Sequence, residues 1–104
     1  MRNVNGSEVL TESVAKRDKL TIVDCYADWC GPCKMLKPIL ESAAQKYPEI
    51  EVVGLDIDAN ADFAAANKIR GVPTLLWYKN GELVHTTVGV TQPKVLAEKI
   101  EEFR

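Results

Sequence analysis

The sequence predicts an α/β fold, a mixed sheet of four or five strands flanked by helices on both faces. Apolar runs of strand length at 20–27, 51–57 and 72–78 alternate with helical patterns. The segment between the first two runs is long enough for a helix that crosses between parallel strands. Asn80-Gly81, between the third run and residues 82–88, is a hairpin turn that adds an antiparallel strand.

The elements follow in order. Residues 2–5 are expected to form a short edge strand. Ser7 caps a helix over 7–16 that buries Leu10 and Val14. Residues 20–27 form a buried strand, because Ile22, Val23, Cys25 and Tyr26 leave little room for a solvent face. A helix over 30–47 comes next, with Leu36, Leu40, Ala43 and Tyr47 at helical spacing. Pro38 is expected to kink it and Pro48 to end it. Val53, Leu55 and Ile57 alternate along the strand at 51–57, whose parallel pairing with the first core strand makes a right-handed βαβ unit. Asn60 caps a short helix to about Lys68, and Gly71 breaks the chain before the strand at 72–78. Residues 82–88 return antiparallel. After Gly89, Thr91 caps a final helix with Pro93 in its first turn and Leu96, Ile100 and Phe103 on its buried stripe.

At 104 residues the chain, 1–104, is expected to be one domain. A formal net charge of −2 gives no basic field for nucleic acid or an anionic membrane. No segment approaches the ~18 apolar residues of a membrane span. Residues 1–6 lack the apolar core of a signal peptide. With three cysteines and no export signal, a reducing cytoplasm is the expected setting, and a monomer the expected state.

The chemistry concentrates in Trp29-Cys30-Gly31-Pro32-Cys33-Lys34, at the junction of a strand and a helix. The first N–H groups of a helix lack partners and its dipole is positive there, so a thiolate is favoured over a thiol. Cys30 at the helix mouth is the expected nucleophile. Cys33 lies one turn in on the same face, less accessible, where it can attack the mixed disulfide that Cys30 forms. Gly31 permits close approach of another backbone, and Pro32 stiffens the bridge, so the two tune the redox pair. Trp29 offers a flat apolar surface beside the sulfur. A Cys-x-x-Cys pair is also half of a zinc site, for which Cys25 and His85 are the remaining ligand candidates. A disulfide closing so short a loop constrains the unfolded chain little, which disfavours a purely structural role. The redox reading requires no metal and no bound cofactor, because the cysteines carry the electrons.

With the motif and the order of elements together, the sequence resembles the thioredoxin family. The resemblance rests on Asp24, Trp29-Cys30-Gly31-Pro32-Cys33-Lys34, Arg70-Gly71-Val72-Pro73-Thr74, Tyr78-Lys79-Asn80-Gly81 and Val88-Gly89, and it spans nearly the whole chain. It implies a protein-disulfide reductase, acting on disulfide-containing proteins and recycled by a thioredoxin reductase. It implies that Asp24 lies behind Cys33 and deprotonates it, where position alone also allows a carboxylate at the rim of the sheet. It implies a cis bond before Pro73 and a docking patch of Trp29, Val72, Pro73, Gly89 and Val90, on which Val72 pairs with an extended target.

Oxidases and isomerases share this fold, but the Gly31-Pro32 dipeptide resembles its reducing members. A binding module that holds a partner on the flat patch is the alternative of a different class. Three positions depart from the family. Gly54 stands where many members carry a lysine beside the buried aspartate, so no cation is expected to offset Asp24. Tyr26 stands where tryptophan is frequent, and Cys25, expected to be a core hydrophobe, where an aromatic is. His85 is expected on the strand surface, Trp77 in sheet packing, and Lys34 and Lys37 as solvated helix residues.

Overall fold

A computed structural model of the chain describes residues 1–10 and 17–104. The elements are β1 (Arg2–Asn3), α1 (Gly6–Leu10), β2 (Thr21–Tyr26), α2 (Gly31–Lys46), β3 (Glu51–Asp56), α3 (Ala61–Ala66), β4 (Thr74–Lys79), β5 (Glu82–Val88) and α4 (Pro93–Phe103). They build one five-stranded sheet in the order β1-β3-β2-β4-β5. β2 and β3 run parallel through the α2 crossover, with Asp24 opposite Gly54, and β1 adds parallel to the far side of β3. β4 lies antiparallel to β2, and β5 antiparallel to β4. The β4–β5 turn takes φ 55° at Asn80 and 84° at Gly81, the left-handed pair that a two-residue hairpin of this twist requires.

Strand alternation sends side chains to two cores. Val23, Cys25, Val53, Leu55, Leu76 and Tyr78 pack with Val9 and Phe63 of α1 and α3. Ile22, Val52, Leu75 and Trp77 pack on the other face with Leu36 and Leu40 of α2 and Leu96 and Ile100 of α4. β2 and β4 are thus covered on both faces, which is why their sequences read as almost continuous apolar runs.

Several boundaries differ from the sequence reading, each for a local reason. The cap of α1 is Asn5, not Ser7. Asn5 Oδ1 accepts the Glu8 N–H at 2.9 Å and Glu8 Oε1 accepts the Asn5 N–H at 3.1 Å, a reciprocal box. The rest of that expected helix, 11–16 with Val14, lies outside the described residues, as does the Leu10 side chain. Gln92 precedes α4 in place of Thr91, because the preset φ of Pro93 starts the helix directly after it. Asn60 precedes α3 as expected but does not cap it. Its amide accepts the Gly6 N–H at 2.9 Å and donates to the Asp56 carbonyl at 2.9 Å, tying α1 to the end of β3. β4 begins at Thr74 rather than at residue 72, since Pro73, after its cis bond, has no N–H for the ladder. α2 is continuous through Pro38 and ends with the Tyr47 N–H donating to the Ala43 carbonyl at 2.9 Å.

Candidate functional site

β2 leads through a tight turn into α2 and delivers Cys30 to the N-cap of that helix. The backbone there is extended (φ −89°, ψ 110°), and Cys30 Sγ accepts the Cys33 N–H at 3.2 Å. Pro32 sits in the first turn, where no helical partner exists for an N–H. Cys30 and Cys33 are joined as a disulfide with their Cα atoms 5.3 Å apart. Against expectation they are buried alike, Cys30 being 4% and Cys33 5% exposed. Each sulfur shields the other, and Ala27, Ile57 and Val72 pack around both. What separates the two is electrostatic. The Cys33 N–H and the positive end of the α2 dipole are directed at the Cys30 sulfur and not at that of Cys33.

Around the pair, the sequence-predicted docking residues come together with one exception. Trp29 is 70% exposed, and its Nε1–H donates to Asp58 Oδ2 at 2.9 Å, which fixes the indole plane. Open space surrounds Gly31. Val72 packs beside the sulfurs, and the Val72–Pro73 bond is cis. The Gly89 N–H donates to the Pro73 carbonyl at 2.8 Å, and its φ of +90° is a conformation that disfavours any side chain. Val90 is the exception, because its side chain packs into the core between the sheet, α2 and α4. Asp58 was not legible as part of the site, since nothing local marks a partner 29 residues from Trp29. Exposed Val88, whose Cγ1 lies 3.6 Å from where a Cβ on Gly71 would sit, extends the apolar rim.

Asp24, 1% exposed, lines one cavity with Cys33. Its Oδ1 has no hydrogen-bond partner among the described residues. Burial pushes its carboxyl up to about 7, and the Lys37 ammonium pulls the other way. The expectation that nothing offsets this charge is therefore corrected. Lys37 lies four residues after Cys33 on one face of α2, and both line a cavity of about 280 Å³ with Asp24 and Tyr26. The position opposite Asp24 is Gly54, as expected.

Cys25 points to the opposite face, into the core beneath α1 and α3. Burial first, and the Asp24 charge second, push its thiol to about 12. In reduced native protein Cys25 should alkylate only after unfolding, as mass spectrometry of a timed reaction would read; three fast thiols would contradict its burial. His85 is a second correction. Paired directly with Trp77, it shares the face of that buried ring and is half-buried there, stacking on Phe103 at 5.3 Å and meeting the Trp77 edge at 5.6 Å. Cys25 and His85 thus lie on opposite faces of the sheet.

The thioredoxin family model matches residues 3–102. Thioredoxin-1 of Saccharomyces cerevisiae is 45% identical over 78 residues, covering 75% of this chain and 76% of that protein. The X-ray structure of Fasciola hepatica thioredoxin superposes with a TM-score of 0.89 at 30% identity, covering all of both chains. Oxidised mitochondrial thioredoxin 3 of Saccharomyces cerevisiae gives 0.87 at 31% identity, over 99% of this chain and 95% of that one.

Proposed function

Because the chain belongs to the thioredoxin family, we propose that Cys30 is its attacking thiol, Cys33 its resolving thiol and Asp24 the base that serves Cys33. The protein is a protein-disulfide reductase, and the observation that carries this is the Cys30–Cys33 pair closed at the mouth of α2. In the reduced protein the Cys30 thiolate attacks a target disulfide. The target S–S bond breaks, a mixed disulfide forms, and the first target sulfur leaves as thiolate. Cys33 gives its proton to ionised Asp24 and attacks Cys30 Sγ. The Cys30–Cys33 bond forms as the bond to the target breaks, so the target has gained two electrons and the protein has lost them. The proton then leaves Asp24 through the cavity or returns to the departing thiolate.

Gly31 and Pro32 tune this exchange. They do so by leaving the sulfurs approachable and the bridge stiff. Trp29, Val72, Pro73, Gly89 and the backbone of Val90 bind the target, with Val72 pairing to an extended segment. Such a patch offers mostly backbone and flat apolar surface, which suits many disulfide-containing partners. A thioredoxin reductase is the electron donor in this reading, and neither nucleic acid nor a membrane takes part. The setting is the cytoplasm and the working state a monomer. The unpaired thiol of Cys25 suits a reducing compartment. Among the described residues no helix is long and apolar enough to cross a membrane. Recovery of the chain in a mitochondrial fraction, or a dimer by light scattering, would refute those two points.

An equilibrium titration in a thiol–disulfide buffer, followed by the fluorescence of Trp29, tests the direction of electron flow. A two-electron transition near about −270 mV is expected for a reductase, whereas one near about −180 mV is the range of an isomerase and would overturn the reading.

A further inference from the structure

Asn3 pairs with Gly54 on β3, and Gly54 with Asp24 on β2. The three residues stand in one row across the parallel strands, about 4.8 Å apart, with side-chain positions on the same face. Gly54 is buried and contributes no side chain to that row. Asn3 occupies the space instead. Its Oδ1 lies 2.6 Å from where a Cβ on Gly54 would sit, and the Tyr26 Cε1 lies 3.2 Å from the same point. The Asn3 and Tyr26 side chains thus meet over Gly54. Asn3 and Tyr26 both line the cavity that holds Asp24 and Cys33.

We propose that Asn3 is a positioning residue for Asp24: its amide, seated over Gly54 beside Tyr26, closes the outer side of the cavity and sets how readily Asp24 gives up its proton. The seat exists only because residue 54 is glycine, since any Cβ there would force the amide away. The cavity is polar and large enough for solvent, so what stands at its mouth decides how well Asp24 is hydrated. The titratable groups that line the cavity with Asp24 are Lys34, Lys37 and Cys33 from α2, Asp28 from the turn after β2 and Tyr26 from β2 itself; Met1 lines it too, with its terminal ammonium paired to Glu41 at 3.6 Å. β1 adds the neutral amide and β3 adds only backbone. A change at residue 3 therefore alters the field and hydration of Asp24 without touching the cysteines. The proposal draws its functional meaning from the reading of Asp24 as the base for Cys33.

The test is a pH titration of the Asp24 carboxyl carbon by NMR in the oxidised protein, a readout that needs no turnover. Asn3→Ala admits water and should lower the Asp24 midpoint by roughly one unit. Asn3→Asp keeps the shape, brings a second carboxylate over Gly54, and should raise the midpoint by a similar amount. Opposite shifts from one position are not what a merely structural role produces. A midpoint unmoved in both variants overturns the proposal. Should either variant lose β1, Gly54→Ala decides, because its Cβ takes the place of the amide; a midpoint lowered as in Asn3→Ala supports the seat, and no shift refutes it. If the carboxyl midpoint moves and the pH profile of mixed-disulfide release does not, the seat stands and Asp24 is not the base.

Discussion

Replacing Cys33 with serine leaves the protein covalently attached to its targets. The first step needs only the Cys30 thiolate, whose cap N–H comes from the backbone of residue 33 and survives the substitution. That step should keep its rate to within about tenfold. The second step needs a sulfur at residue 33, and a hydroxyl does not displace a thiolate from a disulfide. Turnover should therefore fall to the uncatalysed background while a mixed disulfide accumulates, visible as a mass increase that a small thiol reverses. Cys30→Ser is the complement. Serine is a favourable N-cap, so the fold is kept, and with no thiolate at the helix mouth neither turnover nor adduct is expected. Release of target from Cys33→Ser at the native rate would sink the assignment of roles.

Asp24→Asn should slow release of the mixed disulfide roughly a hundredfold near pH 7 and leave the first attack nearly unchanged. Equal slowing of both steps would reject Asp24 as the base for Cys33. The same substitution should change how stability depends on pH. The folded carboxyl holds its proton up to about 7, whereas in the unfolded chain it ionises near its ordinary 3.8. Between those values the folded state binds more protons, so raising the pH through that window costs stability. At pH 8 the cost is complete, on the order of 4 kcal/mol, and below about pH 4 it is absent. Asparagine carries no such cost. Denaturant unfolding of the oxidised proteins should find Asp24→Asn more stable than the parent by a few kcal/mol at pH 8, with the difference shrinking toward pH 4. A difference that stays constant across that range would mean that the carboxyl does not titrate as its burial requires.

Most of the fold was legible because it is written in short-range patterns. Continuous apolar runs marked β2 and β4 as strands buried on both faces. Asn80-Gly81 marked the hairpin, Pro93 the start of α4, and a strand running into Cys-Gly-Pro-Cys marked the redox site. The caps were misplaced by one or two residues. A cap depends on which polar side chain reaches a free N–H, and Asn5 and Glu8 do this jointly while Asn60 is drawn away to Gly6. His85 was misjudged because its pairing with Trp77, which sets it against Trp77 and Phe103, is fixed by strand register and not by local pattern.

What the sequence by itself determined is local chemistry: two thiols on one face of a helix mouth, a carboxylate in an apolar strand, and the periodicity that assigns each strand residue to a core. What only the tertiary structure decided is which distant groups meet there. Lys37 faces Asp24, Trp29 leans on Asp58, and Asn3 fills the space that Gly54 leaves. These contacts join residues on different elements, and they depend on strand order and register, which become definite only when the two cores are packed against the sheet. The proton affinity of Asp24 belongs to that second class, because burial and neighbouring charge set it, and both are properties of the folded chain.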